Sequence, residues 1–160
     1  MRIYLLRHGI AEDAGPRVPD TKRELTDKGR SKLAAALRVA KRAEVRPDAI
    51  LSSPLLRAVQ TAEIARDILK VLSPVQQTPA LIPEGSPQKV WEELRALRKF
   101  DEVLLAGHEP LLSNLAAWLL RSPALQIHVT KGSLLSIEMD DFPAEPHGIL
   151  NWMITAKMGE

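Results

Sequence analysis

Three short stretches of this 160-residue chain set arginine and histidine where an apolar, strand-like run stops. Arg7-His8-Gly9 follows the run Ile3, Tyr4, Leu5, Leu6. Ser52-Ser53-Pro54-Leu55-Leu56-Arg57 follows a second run and sets a guanidinium on the first turn of a helix. Gly107-His108-Glu109-Pro110 ends a third, from Val103 to Ala106. An arginine fork holds phosphate oxygens through parallel charge-assisted hydrogen bonds and stays charged at any working pH. Helix starts add unpaired N–H groups and the positive end of the macrodipole. One imidazole can attack phosphorus while the other donates to oxygens that gain charge. The chemistry this set suits is the binding and transfer of a phosphoryl group. Taken singly, each piece has a plainer reading: Arg7 and His8 as a polar strand end, Arg57 as an exposed helix charge, His108 as a cap. The coincidence of three junctions is what points to a site.

The elements that must position these residues follow from periodicity. Strand-like segments lie at 2–7, 48–53, 102–107, 133–139 and 149–155, with a weaker one at 75–79. Thr26 caps a helix running to about Ala43, with Leu33, Leu37 and Ala40 on one face. Ser53-Pro54 is a helix start, a hydroxyl followed by proline, for a helix that ends near Val71 and turns Val59, Ile64, Ile68 and Leu69 inward. Ser86-Pro87 repeats that signal ahead of Val90, Leu94 and Leu97. Glu109-Pro110 opens a fourth helix through Leu111, Leu115, Leu119 and Leu120. Strands alternating with helices imply βαβ units, and the closely spaced last two strands imply an antiparallel edge. The expected fold is α/β, a three-layer α/β/α sandwich with a mostly parallel central sheet, in a single domain over 1–160. If the three strands are parallel, the three junctions meet on one edge, where open α/β sheets bind ligands. Segment 10–25 is polar with two prolines, a loop long enough to suggest function.

Composition narrows the alternatives. Twenty-two basic residues against twenty acidic ones give a formal charge of +2. That balance makes no electrostatic case for nucleic acid despite a pI near 9.0. Aromatic residues at 4% also argue against a base-stacking surface. With no cysteine, disulfides, thiolate zinc sites and cysteine nucleophiles are excluded. Neither HExxH nor a close histidine pair occurs, so no metal is expected, and no cofactor. His128 and His147 fall in expected loops and read as solvated. The phosphate-loop pattern GxxxxGK[ST] and the dinucleotide pattern GxGxxG are missing. No apolar stretch approaches the roughly 20 residues that span a bilayer, and no signal peptide is visible. The expected protein is soluble and cytoplasmic.

With these residues in hand, the chain resembles the histidine phosphatase superfamily, phosphoglycerate mutase-like in fold, and within it the SixA-type phosphohistidine phosphatases. The likeness rests on Leu6-Arg7-His8-Gly9, on Arg23-Glu24-Leu25-Thr26 with Gly29, on Ser52-Ser53-Pro54-Leu55-Leu56-Arg57-Ala58-Val59-Gln60-Thr61-Ala62, and on Gly107-His108-Glu109-Pro110. It implies that His8 accepts the phosphoryl group and water then hydrolyses it, with Arg7, Arg57 and His108 on the phosphoryl oxygens and Arg23 beside the pocket. His8 must then attack with a bare ring nitrogen, its other nitrogen donating to a carbonyl or carboxylate.

The proton donor is the open position. Larger members supply a carboxylic acid from a loop, and here Glu84 is the candidate near that stretch, though it reads more readily as an exposed loop acid by a helix start. Glu12 and Asp13 are weaker alternatives. A missing acid matters less for a phosphoramidate than for an alkyl phosphate, since imidazole leaves more readily. The expected partner is therefore a phosphorylated protein bearing phosphohistidine, or else a small phosphorylated substrate. A small-molecule phosphomonoesterase and a phospho-ligand binding module without turnover are the competing readings. So compact a chain is also expected to leave its pocket open to a folded partner.

Overall fold

The computed structural model describes residues 1–159. Its six strands are β1 (Arg2–Arg7), β2 (Ala49–Ser52), β3 (Gln76–Gln77), β4 (Glu102–Gly107), β5 (Leu134–Glu138) and β6 (Ile149–Ile154). They form one sheet in the order β3-β2-β4-β1-β5-β6. The first four run parallel, and β5 is antiparallel to both of its neighbours. This is the expected α/β architecture with its antiparallel edge. Four helices complete it: α1 (Asp27–Arg42), α2 (Leu56–Leu69), α3 (Pro87–Ala96) and α4 (Leu111–Leu119).

Strand alternation sorts the core into two layers. Ile3, Leu5, Val103 and Leu105 pack on one face with Val90, Trp91 and Leu94 of α3 and Leu111, Leu112 and Leu115 of α4. Tyr4, Leu6, Leu104 and Ala106 pack on the other with Leu33, Leu37 and Ala40 of α1 and Ala62 and Ala65 of α2. Successive residues of one strand thus bury on opposite faces, so the central strands are apolar at every position rather than at alternate ones. Each leucine so buried contributes about 1.5–3 kcal/mol. Among the described residues no helix is long and apolar enough to cross a membrane.

Caps at two helices fall as the sequence predicts. The Thr26 hydroxyl accepts from Gly29 N at 2.9 Å, and Ser86 accepts from Lys89 N at 3.3 Å. The strands at 48–53, 133–139 and 149–155 are each trimmed by a residue or two, and the weak segment at 75–79 pairs over Gln76–Gln77. Helix α2 departs further. It begins at Leu56, not at Ser53-Pro54. The Ser53 hydroxyl lies 2.8 Å from His108 Nε2 and accepts from Leu55 N at 3.3 Å, so a role in the polar cluster replaces the expected cap. Its inner face is also different: Ala58, Thr61, Ala62 and Ala65 are buried beside Leu69, while Val59, Ile64 and Ile68 are only partly covered. Turning Arg57 and Thr61 inward obliges their helical neighbours at three- and four-residue spacing to be the inner ones. The helix stops at Leu69, with Lys70 in the left-handed region at φ 63°.

The chain leaving β1 presses on the start of α1. Thr26 donates to the Ile10 carbonyl at 3.3 Å, and a Cβ on Gly29 would fall 2.1 Å from that same oxygen. Only glycine fits such backbone contact. Gly29→Ala should therefore lower unfolding free energy in urea by about 1–3 kcal/mol, the usual range for overpacking. A loss below about 0.5 kcal/mol would show that this contact yields freely.

Candidate active site

The register of the sheet brings the three junctions side by side. Arg7 is paired with Gly107 and Leu6 with Ala106, across the β1–β4 ladder. Ser52 lies opposite Ala106 across the β2–β4 ladder. Beyond the strand ends, His8 N donates to Gly107 O and Ser53 N to Ala106 O, both at 3.0 Å. Gly132 N reaches the carbonyls of Arg7 and His8 at 3.1 and 3.0 Å, so the turn before β5 braces the same corner. The rings of His8 and His108 lie 5.0 Å apart between centroids and are tilted by 52°. His8, Arg57 and His108 are 4%, 5% and 2% exposed. The loop over 10–25 reaches the site, where Asp20 accepts from Arg57.

One hydrogen bond sets the tautomer of His8. Its Nδ1 lies 2.7 Å from the Gly9 carbonyl. A carbonyl oxygen only accepts, so Nδ1 carries the proton and the lone pair of the neutral ring sits on Nε2. Burial, the largest cause, pushes the pKa of His8 down to about 4, with Arg57, Arg7 and Lys131 adding to the fall and the Gly9 carbonyl opposing it. The ring is thus neutral and nucleophilic at pH 7. Gly9 is fixed in turn, its N–H donating to Thr61 Oγ1 at 3.1 Å while Thr61 donates to the Arg57 carbonyl at 2.7 Å.

Around this ring the guanidinium groups are half-committed. Arg7 Nη1 donates to the Val129 carbonyl at 2.6 Å. Arg57 donates to the Asp20 carbonyl at 2.8 Å and to its carboxylate at 3.3 Å. Arg23 reaches the other oxygen of that carboxylate at 3.0 Å. Yet the Nε atoms of Arg7, Arg23 and Arg57 are all buried without a partner, and so is His108 Nδ1. Buried N–H groups are rarely left unpaired, because each costs about 1–3 kcal/mol. Burial lowers the pKa values of Arg7 and Arg57 from their usual range, with Glu109 opposing for Arg7 and Asp20 for Arg57. His108 is pushed down to about 3, first by burial and then by the charges of its neighbours. Its Nε2 can accept from the Ser53 hydroxyl, which places the ring proton on Nδ1 as a donor. Together these groups form a basic, dehydrated cradle suited to a tetrahedral dianion. Such an anion would restore the positive form of His108.

Arg7, His8, Arg57 and His108 thus meet, with Arg23 joined to them through Asp20. Glu84 is exposed and lines a groove with Ser86, Lys89 and Glu93, which contains none of the four. Glu12 and Asp13 are exposed in the loop after Gly9. Asp20, the Ser53 and Thr61 hydroxyls and the Val129 carbonyl belong to the site and were not singled out from sequence. Asp20 lay in the suspect loop and Ser53 and Thr61 in the quoted motif, whereas no sequence signal marked the Val129 carbonyl. Among the described residues no group of three or more His, Asp or Glu is placed to hold a metal ion.

Comparison with known proteins agrees with this geometry. The family model of the histidine phosphatase superfamily (branch 1) matches residues 3–82. The phosphohistidine phosphatase SixA of Escherichia coli is 30% identical over 157 residues, 97% of this chain and 94% of that protein. A structure of the protein histidine phosphatase SixA complexed with tungstate superposes with a TM-score of 0.89 at 29% identity, covering 100% of both chains. A mycobacterial glucosyl-3-phosphoglycerate phosphatase shares the fold at a TM-score of 0.67 and 21% identity, over 94% of this chain and 96% of its own.

Both buried histidines titrate in the fold below the value of about 6.5 expected when unfolded. The unfolded chain therefore takes up protons that the fold refuses, from about pH 6.5 down to about pH 4 at His8 and about pH 3 at His108. Their contribution to stability is complete above that window and is lost as pH falls through it. In phosphate-free buffer, the urea midpoint should hold near neutrality and decline from about pH 6.5 downward. The NMR signals of His8 should stay those of a neutral ring to below about pH 5, its pKa in the fold being about 4; a midpoint for His8 near 6.5 would refute the buried, neutral assignment.

Proposed function

The chain belongs to the histidine phosphatase superfamily and is a phosphatase, and from that premise we propose that it hydrolyses phosphohistidine on a protein partner through a phosphoryl group held transiently on His8. The observation that carries this reading is the fixed tautomer of His8, neutral and bare at Nε2, inside a ring of unpartnered N–H donors. The substrate class follows the printed name of the E. coli relative and the chemistry of the leaving group.

In the first step His8 Nε2 bonds to phosphorus as the bond from phosphorus to the substrate imidazole breaks. Protonated on its far nitrogen, that imidazole leaves as a neutral ring and needs no further acid. In the second step water attacks phosphorus on His8, the phosphorus–Nε2 bond breaks, and phosphate departs with the excess proton passed to solvent. Arg7, Arg57 and His108 hold the three phosphoryl oxygens throughout and stabilise the charge that gathers on them. Arg23, tied to Arg57 by Asp20, is assigned to the rim of the same cradle. Glu84, in a neighbouring groove, would serve as proton donor only for substrates whose leaving group is an alkoxide.

Brief exposure to labelled phosphoramidate should leave acid-labile, base-stable label on the native protein and none on His8→Ala. Equal labelling of both would sink the assignment. Arg57→Ala should lower kcat/KM by roughly 10²–10³-fold, the usual cost of one donor to a developing oxyanion. Faster turnover of sugar phosphates than of a phosphohistidine peptide would turn the reading to a small-molecule phosphomonoesterase. Tight vanadate binding with no hydrolysis of either would turn it to a binding module.

A further inference from the structure

Arg7 is shared between the phosphoryl cradle and the surface. It forms one wall of a groove of about 530 Å³ whose lining also includes Lys32, Lys131, Lys157, His128 and Thr130. Among the described residues no aspartate or glutamate lines this groove. Its cations come from three separate elements: Lys32 from α1, Lys131 from the turn before β5, and Lys157 from the short 3-10 turn over Ala156–Gly159 that packs on α1. Lys131 and Lys157 are exposed, and among the described residues neither enters an ion pair. Lys131 stands close enough to His8 to help lower its pKa, so the groove and the nucleophile share one field. A second groove of about 560 Å³, which also includes Arg7 and His128, carries Glu109 and Gln126 but no lysine.

Arg7 of β1, Lys131 and Lys157 bring like charges from three elements, which repel one another, and an anion seated among them relieves that repulsion. Because Arg7 is common to the groove and the cradle, whatever lies in the groove is joined to the group on His8 at short range. We propose that this groove is a docking subsite for an acidic segment of the phosphorylated partner, next in sequence to its phosphohistidine. The proposal rests on the phosphohistidine reading above and adds to it the charge of the flanking chain. Such a subsite acts mainly on encounter and KM, and it weakens as salt screens exposed pairs beyond about 8–10 Å.

The test uses two synthetic phosphohistidine peptides, identical except for glutamates or glutamines flanking the phosphohistidine, with free phosphoramidate as the small reference substrate. The native protein should favour the glutamate peptide in kcat/KM by about fivefold to tenfold at low salt, through KM, as expected for a few exposed charge pairs. That preference should shrink at high salt. Lys157→Gln should reduce it and Lys157→Glu should abolish it, while both variants hydrolyse phosphoramidate at the native rate. Equal use of the two peptides by a native protein that hydrolyses phosphoramidate would overturn the subsite and leave the phosphatase reading standing. An unchanged preference in Lys157→Glu would also overturn it. So would stronger inhibition by a short single-stranded RNA than by the glutamate peptide without its phosphoryl group. Failure of the native protein to hydrolyse phosphoramidate or either peptide would instead remove the parent reading, and the subsite with it.

Discussion

Parallel pairing of β2, β4 and β1 obliges three strand ends to stop at the same level and point the same way. Every polar group of the site inherits its position from that constraint. Arg7 is opposite Gly107 because Leu6 is opposite Ala106, and Ser53 follows because Ser52 shares that level from the other side. A slip of one residue in β1 would exchange its two faces, sending Tyr4 and Leu6 into the layer of α3 and α4. The apolar matching that prevents this slip is the same packing that stabilises the fold. The site therefore needs no separate scaffold, since the core that holds the sheet together also sets the distance between the two histidines.

Charge is the second constraint, and it works against stability. Three guanidinium groups and two imidazoles in one buried corner lose hydration and repel one another. The protein answers in two ways. Asp20 and the Val129 carbonyl take up part of the donor capacity of Arg57, Arg23 and Arg7. Burial keeps both imidazoles neutral. What is left over, the Nε edges of three arginines and His108 Nδ1, is donor capacity that an anion can satisfy. Binding and nucleophilicity thus have one cause. The dehydration that strengthens the hold on phosphoryl oxygens also strips the proton from His8 Nε2.

Much of this was legible in the sequence wherever the relevant residues are neighbours. Arg7 and His8 sit together, and the apolar run before them marks a strand. Gly107-His108 repeats the pattern, and the fold class follows from the alternation of such runs with amphipathic helices. The site was less legible wherever a contact spans the chain. Asp20 meets Arg57 from 37 residues away, and Ser53 meets His108 from 55; local spacing cannot report either. The inner face of α2 misled for a related reason. Hydrophobic periodicity favours Val59, Ile64 and Ile68, but the helix is turned by its polar obligations at Arg57 and Thr61, and alanines fill the space beneath. Ser53-Pro54 has the form of a helix start, yet the hydroxyl is drawn to His108, and Leu55 takes the capping position.

The carboxylates bring these points together. Asp20 stands among the arginines, but its oxygens already accept from Arg57 and Arg23. It serves there as an orienting group. Glu109 carries its own commitment, accepting from Ser113 N at 2.9 Å. Glu84 is exposed, in a different groove. A site whose nearest carboxylates are already engaged as hydrogen-bond acceptors favours a leaving group able to depart without a proton from the protein. An imidazole that arrives protonated on its far nitrogen meets that condition, whereas an alkoxide does not. The contacts that orient the arginines around the phosphoryl site therefore also underlie the proposed preference for a bond between phosphorus and nitrogen.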